Sequence, residues 1–348
     1  MNKTIFFLIP TQVGGAEIIS GIYSKQISAT KKTCNVFVGK NSNSIRPIGE
    51  NNRFIKVNKL KFSALKLYKL LKKENLELVF TSLHGIGIPL LLANYFYKKG
   101  KIIIRQSFMP NRYKNNSLTT LTIRLLYPNA YKLVAQTPEM KEMMINYYNL
   151  KPEKITVLNN PINYEEIQRA IKEENPFKNI QGFKFVTVGN IRHIKGYDIL
   201  IKAFKRVSKQ LNNSTLHIIG NFSKEDPYYI ELKKYIEENE LHEKIIFTGY
   251  SKNPYKYIYN ADCFVLPSRS EGLPNVLLEA IYLKKPVVAT KCIPFIEQVI
   301  SDGLNGFTID IENEIQMAEG MLKAIKMQVK ETNNYKPATI ADLLEIFQ

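Results

Sequence analysis

Eleven short apolar runs, bounded by turn residues and separated by helix-permissive stretches, punctuate this chain. In the first half they are Thr4 to Ile9, Cys34 to Val38, Leu78 to Ser82, Lys101 to Arg105, Lys132 to Ala135 and Ile155 to Leu158. In the second they are Phe183 to Gly189, Leu216 to Gly220, Ile245 to Gly249, Cys263 to Leu266 and Pro286 to Thr290. Strand-like runs alternating with helical patterns predict α/β architecture, with mostly parallel sheets covered by helices on both faces. At 348 residues the chain exceeds one ordinary domain and suits two, each able to bury a core. The segment Asn163 to Gln181 is rich in charge, contains Asn175-Pro176 and has no strand pattern, which places the joint near residues 162 to 180.

Charge divides the chain in the same way. Residues 1 to 52 carry six Lys/Arg against two acids, residues 53 to 132 carry 16 against two, and residues 133 to 348 carry 27 against 27. The net +18 therefore sits in the first 132 residues, where it favours a phosphate-bearing partner: nucleic acid, anionic lipid or anionic substrate. Between Lys59 and Lys73, at 100° per residue, Leu60, Ala64, Leu67 and Leu71 fall on one stripe, with Lys59, Lys66, Lys69 and Lys73 opposite. This predicts an amphipathic helix. Its cationic face is either solvated beside a packed core or set against a membrane headgroup layer. Aromatic and basic residues continue through Tyr95 to Lys99 and Phe108 to Tyr113.

The stretch Ser268-Arg269-Ser270-Glu271-Gly272-Leu273-Pro274-Asn275-Val276-Leu277-Leu278-Glu279 follows the apolar run ending in Leu266 and Pro267, and opens another apolar segment. It reads as strand, loop and helix, with Pro274 suited to the first helical position. The N–H groups of that first turn are then available to an anion at the carboxyl edge of a sheet. Glu271 and Glu279 flank the anion site; carboxylates repel phosphate but accept hydrogen bonds from hydroxyls. A structural loop beside two surface glutamates would also satisfy the spacing, whereas a ligand with phosphates between hydroxyl-rich groups, such as a nucleotide sugar, satisfies the whole string.

That string resembles the Glu-x7-Glu signature of the family 4 glycosyltransferases, retaining enzymes of the GT-B fold. The resemblance implies two Rossmann-like doubly wound domains facing across a cleft. Residues 1–165 would form an acceptor domain, closed by a helix within 337–348, and residues 166–336 a nucleotide-sugar donor domain. It also implies that Glu271 contacts the donor sugar, Glu279 the ribose hydroxyls, and the backbone from Leu273 through Asn275 and Val276 the phosphates. Asn159-Asn160-Pro161-Ile162 and Asp302-Gly303-Leu304-Asn305-Gly306-Phe307 resemble further family segments.

Each expected domain sends its first strand into a loop that can face phosphate. In the first, Pro10 to Glu17 holds Gly14 and Gly15, where paired glycines permit positive φ and close backbone approach. An ordinary turn would look the same, but Gly-Gly-Ala-Glu after strand one is similar to the family's cleft segment. In the second, Gly189-Asn190 leads to Arg192 and Lys195, three apart at a strand-to-helix junction and able to reach one diphosphate. Lys195-Gly196 matches the family's Lys-Gly, while Asn190 stands where the family has arginine. His84, after the run Leu78 to Ser82, is similarly placed to the family's active-site histidine. His193, His217 and His242 read as structural.

Cys34, Cys263 and Cys292 share no metal-type spacing, and the six aspartates include no pair two apart, so the Asp-x-Asp metal clamp is missing. No metal or other cofactor is expected, with Arg192, Lys195 and helix N-termini neutralising the diphosphate. No apolar run approaches the roughly 20 residues of a membrane span, and few cysteines fit a reduced compartment. The expected protein is a cytoplasmic, metal-independent glycosyltransferase, peripheral at the inner membrane face. Its expected partners are a nucleotide sugar, most simply a UDP-sugar, and a glycan or lipid-linked saccharide acceptor, in surface polysaccharide biosynthesis such as lipopolysaccharide or capsule. A nucleotide-sugar epimerase of the same fold, needing no acceptor, is one alternative. A nucleic-acid binder using the basic half is another, and leaves Glu271 to Glu279 without a role.

Overall fold

The computed structural model of the chain describes residues 3–11, 14–41, 47–112, 117–330 and 335–348. Gln12, Val13 and Tyr113, on which parts of the expectations above fall, lie outside the described residues. The chain forms two compact units, one of residues 1–161 and 336–348, the other of residues 162–335.

The first unit is built on β1 (Ile5–Pro10), β2 (Thr33–Gly39), β3 (Asn52–Lys56), β4 (Leu78–Thr81), β5 (Lys101–Arg105), β6 (Lys132–Ala135) and β7 (Ile155–Val157). All strand pairs are parallel, in the order β3-β2-β1-β4-β5-β6-β7, with Ile5 in register with both Thr33 and Leu78. β1, β2 and β4 are buried at every position, which is why β1 and β4 read as almost wholly apolar runs, whereas β2 also buries Asn35, whose side-chain amide donates to the Ile48 carbonyl at 2.8 Å. β3 was not expected: Asn52-Arg53-Phe54-Ile55-Lys56 is an edge strand, half exposed and polar, without the buried run of its neighbours.

The helix Ile340–Glu345 belongs to this unit. Thr339 and Asp342 close a capping box at its start, and Leu343, Ile346 and Phe347 enter the core beside Phe7, Tyr23 and Phe80. The Phe347 ring lies 6.0 Å from Phe7 and 5.9 Å from Phe80, centroid to centroid. Burying these three side chains stabilises the unit by about 1.5–3 kcal/mol each.

The second unit holds β8 (Phe183–Val188), β9 (Ser214–Ile219), β10 (Ile245–Gly249), β11 (Cys263–Leu266), β12 (Val287–Thr290) and β13 (Gly306–Ile309), all parallel in the order β10-β9-β8-β11-β12-β13. β13 was also missed, because Gly306 to Ile309 is short and only half buried. Where the joint was expected, the helix Tyr164–Ala170 packs into the second unit, and Asn253 donates its side-chain amide to the Ala170 carbonyl at 2.8 Å.

In each sheet the strand order reverses once, between β1 and β4 and between β8 and β11. Chains leaving the carboxyl ends of such strands diverge, and the crevice between them is where open α/β sheets bind ligands. The candidate loops of the sequence follow these four strands.

Candidate active site

In the second unit, β8 ends at Val188 and the chain turns through Gly189 and Asn190. The Tyr197 hydroxyl donates to the Gly189 carbonyl at 2.7 Å, and the Asn190 side-chain oxygen accepts from the Asn221 N–H at 3.3 Å. Asn190, at the family's arginine position, is thus used to tie two loops together. Arg192 follows as an exposed residue at the start of a single 3₁₀ turn, His193–Lys195, and makes no ion pair among the described residues. Gly196 ends the turn at φ 68°, and a Cβ there would sit 2.0 Å from the Pro267 carbonyl oxygen. Only glycine meets both conditions, so Lys195-Gly196 is the joint that brings this turn against the loop after β11.

Across that joint Lys195 Nζ pairs with Glu271 Oε1 at 2.7 Å, and Ser268 Oγ donates to the same carboxylate oxygen at 2.6 Å. The backbone N–H of Arg269 donates to the Ile194 carbonyl at 2.8 Å. Its guanidinium donates to Asp198 at 2.8 and 2.7 Å, to the His193 carbonyl at 2.5 Å and to Glu312. The Tyr228 hydroxyl donates to Asp198 at 2.6 Å. Burial would raise the Asp198 carboxyl, but the hydrogen bonds from Arg269 and Tyr228 win and hold it at about 2. Arg269 is therefore a clamp between the β8 loop and the β11 loop, fixing the elements that carry Lys195 and Glu271.

The helix Asn275–Tyr282 starts one residue later than expected. Pro274 is its N-cap, φ −79° and ψ 91°, rather than its first helical residue, and its carbonyl accepts from Leu277 N–H at 3.0 Å. The first-turn amides still include Asn275 and Val276, with Asn275 now the first helical residue. Leu273 is buried, so only its backbone is available to a ligand. Further along, Glu279 accepts a hydrogen bond from the Tyr255 hydroxyl. Burial pushes its carboxyl up to about 7, against the Tyr255 bond and with help from Glu166. Cys292 lies near Glu271 and Lys195; burial raises its thiol to about 12, with Glu271 adding to the shift, so it stays protonated at neutral pH.

In the first unit, Gly14 and Gly15 start the helix Gly15–Ser28. The expected positive φ is absent: Gly14 is the N-cap in extended conformation at φ −162°. Its missing side chain instead admits Glu17, whose Oε2 would lie 2.8 Å from a Cβ at residue 14. His84 is the first residue of the helix His84–Tyr97, after β4, with its ring edge-on to Phe108 at 4.9 Å. The helix after β1 is tied to the turn between β4 and the helix His84–Tyr97 by Ser20 Oγ donating to Ser82 Oγ at 2.7 Å. Gly14, Gly15 and His84 thus share one crevice of the first sheet, and Arg192, Lys195, Glu271, Asn275 and Val276 share one of the second.

The cationic helix is shorter than its periodicity implied. Leu60–Phe62 is a 3₁₀ turn, closed by Ser63 Oγ donating to the Leu60 carbonyl at 2.6 Å, and the α-helix runs over Ala64–Lys73. Lys59 therefore precedes it. Leu67 and Leu71 are buried and Lys66, Lys69 and Lys73 exposed, but Lys66 Nζ donates to the Lys56 carbonyl at 2.6 Å. Phe108, expected in the aromatic surface, is buried. His217 is also buried, its ring against Phe177, and burial depresses it to about 4.

Sequence reasoning missed Arg269, Asp198 and Tyr255. Arg269 stands inside the quoted motif, but its partners lie 71 and 43 residues away in the chain, a pairing that no local spacing reveals. No helix among the described residues is long and apolar enough to cross a membrane, and none of their acidic, histidine and cysteine side chains form a group of three able to hold a metal ion.

Residues 168–341 match the family model for glycosyl transferases group 1. A Campylobacter jejuni relative, N-acetylgalactosamine-N,N'-diacetylbacillosaminyl-diphospho-undecaprenol 4-alpha-N-acetylgalactosaminyltransferase, is 29% identical over 276 residues, 78% of this chain and 73% of the relative. The UDP-Gal:alpha-D-GlcNAc-diphosphoundecaprenol alpha-1,3-galactosyltransferase of Escherichia coli is 25% identical over 273 residues, 72% of this chain and 67% of the relative. Among solved structures, Anabaena HepE in complex with UDP and glucose superposes with a TM-score of 0.79 at 17% identity, over 99% of this chain and 94% of that one. This likeness shows the fold to be GT-B, as the sequence led us to expect.

Proposed function

This chain belongs to the group 1 glycosyl transferases, and on that premise we propose that it moves a hexose-like unit from a nucleotide-diphosphate sugar to a hydroxyl of a lipid-linked saccharide. The uridine class of donor and retention of the anomeric configuration, the family 4 type of chemistry, belong to this reading. The names of the Campylobacter and Escherichia relatives support a lipid-diphosphate-linked acceptor in polysaccharide assembly, and the UDP held by Anabaena HepE supports the donor class.

The observation that carries the reading is the Lys195–Glu271 pair at 2.7 Å. It sets a cation suited to diphosphate directly beside a carboxylate suited to sugar hydroxyls, at the point where the helix Asn275–Tyr282 begins. In this reading Arg192 and Lys195 neutralise the diphosphate, aided by the backbone from Leu273 to Val276. Glu271 takes hydroxyls of the donor sugar and Glu279 those of the ribose. Gly14 and Gly15 present backbone to the donor, and His84 contributes to transfer. The bond between the anomeric carbon and the diphosphate breaks, the acceptor oxygen bonds to that carbon on the same face, and the leaving diphosphate takes the acceptor's proton. Glu271 is no nucleophile here; a covalent glycosyl adduct trapped on it would overturn the mechanism. The enzyme works at the cytoplasmic membrane face, with Lys59, Lys66, Lys69 and Lys73 toward anionic lipid.

Saturation-transfer NMR against UDP-, GDP- and ADP-sugars, with Glu279→Ala as control, tests the donor half. We expect selective binding of one donor that is lost in the variant. Binding of none removes the reading, and interconversion of the donor sugar without acceptor makes the protein an epimerase.

A further inference from the structure

The helices Ala64–Lys73, His84–Tyr97 and Leu118–Leu126 lie side by side in one layer, the second packed against the first and third. Each buries one face: Leu67 and Leu71 on the first, Ile86 and Leu90 on the second, Thr120 and Ile123 on the third. A helix in such a layer normally turns polar residues to water. Here the outward faces are apolar again. Leu92, Tyr95 and Phe96 stand at spacings of three and four on the second helix, and Leu118, Leu121 and Leu125 repeat the pattern on the third. Phe62 and Leu65 extend it over the start of the first. The most exposed of these side chains, Phe62, Leu65, Tyr95, Phe96, Leu118 and Leu125, are 66–81% open to solvent.

The charges of this layer have one sign. The three helices contain no acid, while Lys66, Lys69, Lys72 and Lys73 line the first, and Lys98 and Lys99 follow the second. The two acids between residues 53 and 132 are already held, Glu74 by Arg53 and Glu77 by Lys3, each at 2.5 Å. Apolar stripes at helical spacing exclude mere solvation, and a rim of cations without acids is the complement of an anionic headgroup layer.

We propose that this three-helix face docks on an anionic lipid bilayer. The leucine and aromatic stripes of the second and third helices enter the headgroup boundary, and the lysines of the first lie along it. The proposal extends the lysine contact in the functional reading: the apolar stripes, not the lysines alone, hold the protein on the surface.

Vesicle flotation of the intact chain tests it, with phosphatidylglycerol–phosphatidylcholine vesicles beside pure phosphatidylcholine, at low and high salt. The wild type floats with anionic vesicles and retains part of that binding at high salt, where a purely electrostatic contact is lost. Leu118→Glu/Leu125→Glu and Tyr95→Glu/Phe96→Glu each lower the partition coefficient by about tenfold or more, since each removes two insertable side chains and adds like charge to the lipid. NMR donor binding is unchanged in both variants, and circular dichroism and urea unfolding that match the wild type report that the substituted first unit folds. No flotation of the wild type overturns the proposal, as does flotation indifferent to the four substitutions. A dimer in sedimentation velocity that the same substitutions dissociate overturns it in favour of a second copy on this face. Flotation without donor binding leaves the docking face standing and removes the glycosyl-transfer reading instead.

Discussion

Glu279 shows how an element's position sets the chemistry of one residue. Its carboxyl lies within a helix, beside the Tyr255 hydroxyl and within the field of Glu166, and burial raises it from 4.5 to about 7. The unfolded chain loses this proton first as pH rises, near its ordinary value, while the folded chain keeps it to about 7. Folding stability from this residue is therefore undiminished below about 4.5, falls as pH rises to about 7, and then stays flat. Glu279→Gln should remove that decline, as urea titrations at pH 5 and pH 8 would register: the wild type loses stability between them relative to the variant. Donor affinity should move oppositely if Glu279 accepts from ribose hydroxyls, strengthening through pH 7 as the carboxylate forms. A wild type and variant with parallel pH profiles would show that Glu279 is not the titrating group.

Gly196 does at the level of elements what Glu279 does at the level of atoms. Its φ of 68° ends the 3₁₀ turn, and its bare Cα lets the turn meet the Pro267 carbonyl, the approach that sets Lys195 beside Glu271. Gly196→Ala meets a left-handed backbone cost of about 1–2 kcal/mol, to which the 2.0 Å approach to backbone adds because neither partner is a movable side chain. We expect destabilisation of at least about 2 kcal/mol by urea unfolding, together with weaker donor binding as the Lys195 turn withdraws. Unchanged stability would mean that the joint is not fixed. In the sequence Lys195-Gly196 stood out only as a match to the family's Lys-Gly; the joint itself was not legible, because Pro267 becomes its neighbour only on folding. Strands buried on both faces were legible, since β1, β4 and β11 are continuous apolar runs. The edge strand β3 was not, because half of it faces water and its composition is that of a loop. Nor was the break at Ser63, where a side-chain hydrogen bond to Leu60 interrupts a periodicity that continues on both sides. Arg269 escaped because its partners, Asp198 and Glu312, are distant in sequence and become neighbours only when the crevice loops fold.

At the scale of the whole chain, the division of charge bears on how a diphosphate can be neutralised. The net positive charge resides in the first 132 residues, while residues 133 to 348, which include the donor-side candidates, balance 27 bases with 27 acids. In the proposed reading, neutralising a leaving diphosphate there is a local task, assigned to Arg192, Lys195 and the first-turn amides at Asn275 and Val276. Lys195 is paired with Glu271, so a diphosphate that takes Lys195 must compete with or share that carboxylate, whereas Arg192 is exposed. In the proposed reading these groups take the place of a divalent cation between enzyme and phosphate. The six aspartates, none two apart, also provide no paired-carboxylate clamp for one. Sugar transfer should therefore continue undiminished in excess EDTA, and Arg192→Ala and Lys195→Ala should each lower kcat/KM by about 10²-fold or more. The decisive measurement is turnover of a radiolabelled donor sugar onto lipid-linked acceptor with EDTA, then with added Mg2+ or Mn2+. Strict dependence on the added metal would transfer the work of charge neutralisation from these cations to the ion, and would sink the metal-free reading while leaving the fold and family unchanged.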